Sequence, residues 1–212
     1  MPIFDPDSKF MQITNTMLDY LKTGLLFMLF SIPVLPMGAA AAAAMAVAMK
    51  MVRGEAPAVW QSFWKAFKDN FRQGTALLLI FGLIFALLGF DWYQVMNMDS
   101  TTVVRIARAG IVLLAILVTS IALYSFAIIA RFELGLKAVL RNAVIYTLLC
   151  FPRNLLTVAM IVAGILAYSF FTPIIPLVVA IVPPVVIWYF AKTCVKAFRA
   201  SERKQEEQEE TL

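Results

Sequence analysis

The fold is decided by the stretch Trp60-Gln-Ser-Phe-Trp-Lys-Ala-Phe-Lys-Asp-Asn-Phe71, which stands between two long apolar runs. At about 100° per residue, its aromatic side chains fall on one helical face roughly 100° wide. These side chains are Trp60, Phe63, Trp64, Phe67 and Phe71. The opposite face carries Lys65, Lys68, Asp69 and Arg72. An aromatic face opposed by lysines is typical of a helix lying flat on a membrane surface. The apolar runs favour this interpretation over a helix on a soluble core.

The composition points the same way. The chain of 212 residues is 62% hydrophobic and 15% charged, with a mean hydropathy of +0.84. Soluble domains average about 25% charged residues. Four apolar runs approach or exceed the roughly 18 residues that a helix needs to cross a bilayer. The net charge of +5 is spread over helix ends, so it informs topology and does not build a groove for nucleic acid.

The pattern predicts an all-α fold, a polytopic transmembrane bundle of about five spans. It forms a single domain over residues 1–200, followed by a charged cytoplasmic tail at 201–212. The expected spans are at about 24–49, 75–90, 103–130, 155–171 and 174–191. Two amphipathic segments, at 58–72 and 131–151, are expected to be cytoplasmic elbow helices between spans. A tight turn is expected at Thr172-Pro173, and Pro183-Pro184 should kink the last span.

The first span contains a helix break, made by Pro33, Pro36 and Gly38. The favoured interpretation is one interrupted span. The break is then either a simple kink or a place where free backbone carbonyls face a polar cavity, as in discontinuous transporter helices. The alternative is a helical hairpin, with its first arm beginning near Thr14 and Asp19 paired with Lys22. A signal peptide with Leu25–Leu35 as its apolar core is a third interpretation. The segment before it is too long and not net positive, which disfavours that interpretation.

Basic residues near the span ends set the orientation. Five basic residues lie in the connection 50–72, four in 131–153 and five in 192–204. The loops 91–102 and 172–173 carry no lysine or arginine. The three basic connections, and with them the C-terminus, are therefore expected in the cytoplasm. The N-terminus lies outside if the first region crosses once, and inside if it is a hairpin. Arg105 and Arg108, near the outer end of the third span, run against the rule. Asp91 and Asp99 are their expected partners.

An internal repeat is a further hypothesis. An offset of 72 positions aligns residues 63–70 with 135–142, and a lysine, an alanine and an asparagine then coincide. Each copy would hold an inward span, an elbow and an outward span, as in transporters built from parallel repeats. Convergence of two elbow helices on similar chemistry explains the matches equally well.

The sequence offers little chemistry for catalysis. It has no histidine, the commonest general base and neutral metal ligand. Cys150 and Cys194 fall at cytoplasmic ends of spans without zinc-type spacing, so we expect reduced packing residues. Phosphate loops, nucleophile elbows and paired carboxylates within the spans are also missing from the sequence. We therefore expect a protein that is not an enzyme and uses no cofactor or metal.

The basic residues of the elbows are the candidate contacts with a partner or with lipid, because they point away from the apolar faces. They are Lys65, Lys68, Arg72, Lys137 and Arg141.

Several segments resemble the YesL-like family of small bacterial membrane proteins, which carry a domain of unknown function. The resemblance covers most of residues 10–190 and rests on Leu26–Leu35, Gly38-Ala-Ala-Ala, Met49-Lys-Met-Val-Arg-Gly-Glu55, Phe63-Trp-Lys-Ala-Phe-Lys-Asp-Asn-Phe-Arg72, Tyr124-Ser-Phe-Ala-Ile-Ile-Ala-Arg131 and Leu140-Arg-Asn-Ala143. It implies a multi-pass protein of the bacterial cytoplasmic membrane. Members are encoded beside carbohydrate-uptake genes, which implies a role in sugar import. The family has no established catalytic or binding residues.

The loop from Glu133 to Phe151-Pro152 also has a length similar to the loop through which membrane subunits of ABC importers dock on their ATPase. Its Leu134-Gly135 pair departs from the two alanines expected there. We therefore expect an accessory or partner-binding protein of the lipid bilayer linked to carbohydrate uptake, with a carbohydrate ABC importer or another membrane protein as its partner. The alternative is a transporter or permease-like subunit for a sugar or other small solute, acting as a homo-oligomer. Nucleic acid is not an expected partner.

Overall fold

The computed structural model describes the backbone of residues 9–99, 101–170 and 175–209, and the side chains of 11–99, 101–166 and 181–200. These residues form α-helices joined by short connections, and no strand occurs among them. The helices are α1 (Lys9–Ser31), α2 (Met37–Val52), α3 (Val59–Asp69), α4 (Phe71–Met96), α5 (Thr102–Ile129), α6 (Leu136–Leu149), α7 (Phe151–Phe170) and α8 (Ile175–Glu209). The prediction of an all-α fold is confirmed for this part of the chain.

The first apolar region is a helical hairpin, so the favoured single interrupted span is wrong. Helix α1 ends before the prolines, and α2 begins at Met37 with Pro36 as its N-cap residue. The Tyr20 hydroxyl of α1 donates a hydrogen bond of 3.5 Å to the Ala48 carbonyl of α2, which requires the two helices to run antiparallel. Asp19 and Lys22 form a salt bridge of 3.0 Å, as the hairpin alternative predicted. Pro33 and Pro36 favour a helix end here, because a proline donates no backbone hydrogen bond and disfavours helical geometry in the residue before it.

Helices α3 and α4 meet at a break at Asn70. The Asn70 side-chain amide donates to the Ala66 carbonyl at 2.8 Å, a local bond that competes with helix continuation. At the second break, α6 and the described part of α7 meet at Cys150 with a bend of 96°.

Helix α5 agrees within one residue at each end with the predicted span, and its N-cap residue Thr101 accepts a hydrogen bond from the Val104 amide.

Helix α8 is longer than the predicted fifth span. It continues through Pro183 and Pro184 and past Ala191 to Glu209. Buried apolar residues keep one face of it against the core beyond the expected end: Phe190, Ala191, Cys194, Val195 and Phe198. Because Lys192, Lys196 and Arg199 lie on the exposed side, the helix changes from apolar to amphipathic without ending. The predicted turn at Thr172-Pro173 lies outside the described residues, as do the side chains of the tail.

Three helical segments are long and apolar enough to cross a membrane: α4, α5 and residues 181–200 of α8. A fourth crossing arises if α6 and α7 are taken together as one bent span. The described residues therefore contain three to four candidate spans, and the predicted number of five is not confirmed. Large apolar side chains are exposed along these helices, including Leu79, Leu83 and Phe90. Such a surface fits contact with lipid.

The core is densest around α2. The small side chains of α2 allow α4 to approach so closely that a Cβ atom added to Gly74 would lie 2.7 Å from the Ala39 nitrogen. A Cβ atom at Gly38 would collide with the Gly74 carbonyl. Small residues permit this kind of helix contact in membrane proteins.

Burial repeats along the chain with an offset of 80 positions. From 40 to 50 and from 120 to 130 the buried and half-buried residues alternate identically, except that Ala43 is buried and Leu123 is half-buried. The pattern continues in the following helices, where Val59, Phe63, Phe67, Gly74 and Leu77 correspond to Val139, Ala143, Thr147, Asn154 and Thr157, all of them buried. We call residues 40–77 the first unit and residues 120–157 the second unit.

The offset of 72 suggested by the sequence is therefore not the register of the helices. That alignment pairs Asn70, which ends α3, with Asn142, which lies inside α6. With an offset of 80, the breaks at Asn70 and Cys150 coincide. A shorter helix between two longer ones does occur twice, but α2 is too short to count among the candidate spans, so the span–elbow–span repeat is not confirmed.

Candidate interaction groove beside α3

The aromatic face of α3 is divided between the core and the surface. Phe63 is fully buried and Phe67 is 8% exposed, whereas Trp60, Trp64 and Phe71 are 58%, 37% and 44% exposed. Phe30 of α1 contacts this face, with ring centroids 5.6 Å from Phe63 and 5.2 Å from Phe67. The two phenylalanines thus fix α3 to the hairpin, and the exposed aromatics remain available to a membrane interface.

A groove runs along the neighbouring side of α3, and we call it the charged groove. Its cavity has a volume of about 880 Å³. It lies between the end of α2, α3, the start of α4 and the connection from α5 to α6. Its charged residues are Lys50, Lys65, Asp69, Arg72, Arg131 and Glu133. Four of these six are basic, so the groove is net positive while carrying charges of both signs.

Most charged side chains of this groove are accessible to solvent. Within the described residues, salt bridges within 4.0 Å join Asp19 to Lys22 and Arg53 to Glu55, and neither pair lies in the groove. Lys65, Asp69 and Arg72 are exposed, and Lys50 is half-buried. These four side chains form no salt bridge with one another, so charges on another molecule can complement them.

The connection from α5 to α6, which forms one side of the groove, is held in place by two kinds of contact. The Gln73 side-chain amide donates a hydrogen bond of 3.2 Å to the Leu134 carbonyl, which ties the start of α4 to the connection after α5. The Arg131 guanidinium lies 5.3 Å from the Phe132 ring centroid and 5.5 Å from that of Phe198. These cation–π contacts link the groove to α8.

The groove contains only part of the predicted contact set. Lys65 and Arg72 line it, whereas Lys68 lies over the Trp64 ring at 4.9 Å from the centroid. Lys137 and Arg141 are exposed on α6 and do not line the groove. Lys50, Asp69, Arg131 and Glu133 are added by the structure. Their positions near helix ends were visible in the sequence, but their convergence depends on the packing of α2, α3 and α5.

The helix break does not line a cavity of the kind found in discontinuous transporter helices. Pro33 and the neighbouring Ile32, Val34 and Leu35 are exposed, because they form the turn of the hairpin. Gly38 is buried, but against Gly74. The break is therefore the reversal of the chain, and the described residues around it give no support to the alternative of a polar cavity.

A second cavity, of about 450 Å³, lies among the helices themselves. It is lined by apolar side chains from α1, α2, α5, α7 and α8, among them Phe27, Met45, Leu123, Ile161 and Phe190. A cavity without polar side chains offers no hydrogen bonds to a hydrophilic solute such as a sugar.

Cys150 and Cys194 are buried and not joined by a disulfide bond. Among the described residues no group of three or more histidine, cysteine, aspartate or glutamate side chains is placed to hold a metal ion.

With several helices able to cross a membrane, the chain is consistent with a multi-pass membrane protein. A family model described as "Protein of unknown function, DUF624" matches residues 20–92. This stretch runs from the second half of α1 through most of α4 and includes the whole of α3. No curated protein matches the chain at a significant level. The same holds for solved structures.

Proposed function

We propose that the protein is a non-enzymatic, multi-pass protein of the bacterial cytoplasmic membrane that binds a partner through the charged groove. The observation that supports this most is the convergence of six charged residues, from four segments of the chain, on one groove. Charge complementarity at such a surface accelerates association and selects the partner.

The proposed topology is a hairpin, α1–α2, followed by crossings of α4, α5, α7 and α8. The hairpin takes the place of the expected first span and puts the N-terminus on the cytoplasmic side. The short helices α3 and α6 act as the two cytoplasmic elbows, since basic residues cluster at their ends of the spans. The C-terminal part of α8 is cytoplasmic for the same reason. The charged groove then opens to the cytoplasm.

The proposed partner is a component of carbohydrate uptake, such as a carbohydrate ABC importer. This part of the proposal rests on the resemblance to YesL-like proteins. The competing function is transport of a sugar by the protein itself. The apolar lining of the cavity among the helices argues against it, because a sugar would lose its hydrogen bonds to water there without replacement.

Charge reversal in the groove tests the proposed function. The double variant Lys65→Glu, Arg72→Glu should fold as the wild type does, because exposed substitutions usually change stability by less than about 0.5 kcal/mol. It should lose its association with the carbohydrate importer in affinity purification from mild detergent, quantified against the wild type. The matched control is Lys137→Glu, Arg141→Glu, which makes the same charge change on α6 outside the groove and should retain the association.

Two results would contradict the proposal. One is that the groove variant and the α6 variant keep, or lose, the association to the same extent. The other is sugar accumulation by liposomes that contain only the purified protein, since this would establish transport without a partner.

A further inference from the structure

Three buried polar atoms in the second unit lack a good hydrogen-bond partner. They are the Tyr124 hydroxyl, the Thr147 hydroxyl and the side-chain oxygen of Asn154. Tyr124 is fully buried, and Thr147 and Asn154 are 1% and 3% exposed. The Tyr124 hydroxyl has the Cys150 thiol beside it, but sulfur is a weak partner. About 90% or more of buried polar groups in proteins are satisfied by protein or by ordered water.

These residues lie at the bend between α6 and α7. Thr147 lies in the last turn of α6 and Asn154 in the first turn of α7. The Asn154 side-chain nitrogen donates a hydrogen bond of 2.9 Å to the Thr147 carbonyl, which joins the two sides of the bend. Tyr124 of α5 stacks on Tyr146, the residue before Thr147, with ring centroids 6.0 Å apart.

Other buried hydroxyls nearby are satisfied within their own helices. Ser125 donates to the Ile121 carbonyl at 2.8 Å, and Thr157 donates to the Arg153 carbonyl at 3.1 Å. Thr147, in the same kind of position, has no such bond among the described contacts. The corresponding positions of the first unit are Ala44, Phe67 and Gly74, which have no polar side-chain atom. The free oxygens are thus a property of the second bend alone.

We propose that the bend between α6 and α7 binds one monovalent cation. The three free atoms are all oxygens without formal charge, and the Asn154 nitrogen is already engaged, so that side chain offers only lone pairs. The C-terminal end of α6 adds the negative end of its helix dipole. Broken helices in membrane proteins coordinate sodium ions with such groups. Divalent ions prefer carboxylate oxygens, and no acidic side chain is among these three.

Arg153, the residue before Asn154, is a basic residue close to this site. Its side chain is exposed, so solvent screens its charge from a bound cation. The site is separate from the charged groove, because Tyr124, Thr147 and Asn154 do not line that groove.

The test is the melting temperature of the purified full chain in detergent, in sodium, potassium or choline chloride at equal ionic strength. A cation that binds only the folded state stabilises it by mass action, so sodium or potassium should raise the Tm by about 3 °C over choline. The isosteric variant Thr147→Val should lose most of this difference. The control Ser125→Ala removes a satisfied hydroxyl and should keep it.

Equal Tm values of the wild type in the three salts would overturn the proposal and leave water as the occupant of the bend. If Thr147→Val does not fold, Tyr124→Phe provides the same test, because it removes another free oxygen at nearly constant shape. A salt difference that persists unchanged in the folded variant would also contradict the site.

Discussion

The first and second units bury the same positions but fill them with different side chains. In the first unit, Phe63 and Phe67 pack into the alanines of α2, and Gly74 brings α4 against α2. In the second unit the corresponding residues are Ala143, Thr147 and Asn154, and two of them are polar. One burial pattern therefore serves once as a tightly packed apolar scaffold and once around polar groups.

The largest effect is expected from the substitution Phe63→Ala, which gives the first unit the side chain found at the corresponding position of the second. Phe63 is fully buried between Phe30, Phe67 and α2, so its removal leaves a cavity. Replacing a buried phenylalanine by alanine costs about 3–5 kcal/mol of unfolding free energy. Denaturant titration in detergent would measure this loss.

Trp60→Ala is the control for Phe63→Ala, because it also removes an aromatic ring from α3 but from a position 58% exposed. It should cost clearly less than Phe63→Ala. Equal losses for the two variants would mean that the buried face of α3 is not what fixes it to the hairpin, and the contrast between the units would fail.

Alanine substitutions at two glycines of α4 should change the free energy of unfolding less, and in opposite directions. Gly74→Ala places a Cβ atom 2.7 Å from the Ala39 nitrogen, and backbone atoms there cannot move aside cheaply. The expected loss is about 1–3 kcal/mol. Gly82→Ala meets no atom within 4 Å and should instead stabilise α4 by about 0.5–1 kcal/mol.

The same denaturation measurement checks both glycine variants. A neutral Gly74→Ala would show that α2 and α4 are farther apart than the structure has them. It would also mean that no close helix contact at Gly74 distinguishes the first unit from the second, where Asn154 takes the place of Gly74.

Local features of the sequence predicted the elements well where one pattern acts alone. The aromatic stripe predicted a helix over 58–72 and α3 spans Val59–Asp69, and the apolar run at 103–130 is α5 shifted by one residue. The hairpin was less clear, because two prolines in an apolar run can mark either a kink or a reversal. Only a contact such as that of Tyr20 with Ala48 decides between them.

The register of the two units and the polar bend could not be predicted from the sequence. Few residues coincide at an offset of 80, because burial repeats at this offset while side-chain size does not, as where Ala143 corresponds to Phe63. Thr147 and Asn154 look like ordinary residues of an elbow until the bend of 96° buries them. The charged groove likewise depends on segments that are distant in sequence.

In the proposed topology the two units run parallel across the membrane, with the charged groove and both short helices on the cytoplasmic side. Thiol labelling in intact cells tests it most directly. Single cysteines are introduced at Gly54, Gly135 or Met98 in a background in which the buried Cys150 and Cys194 are alanine. An impermeant reagent should label Met98→Cys in intact cells, and Gly54→Cys and Gly135→Cys only after permeabilisation. Labelling of Gly54→Cys or Gly135→Cys in intact cells, with Met98→Cys protected, would contradict this topology.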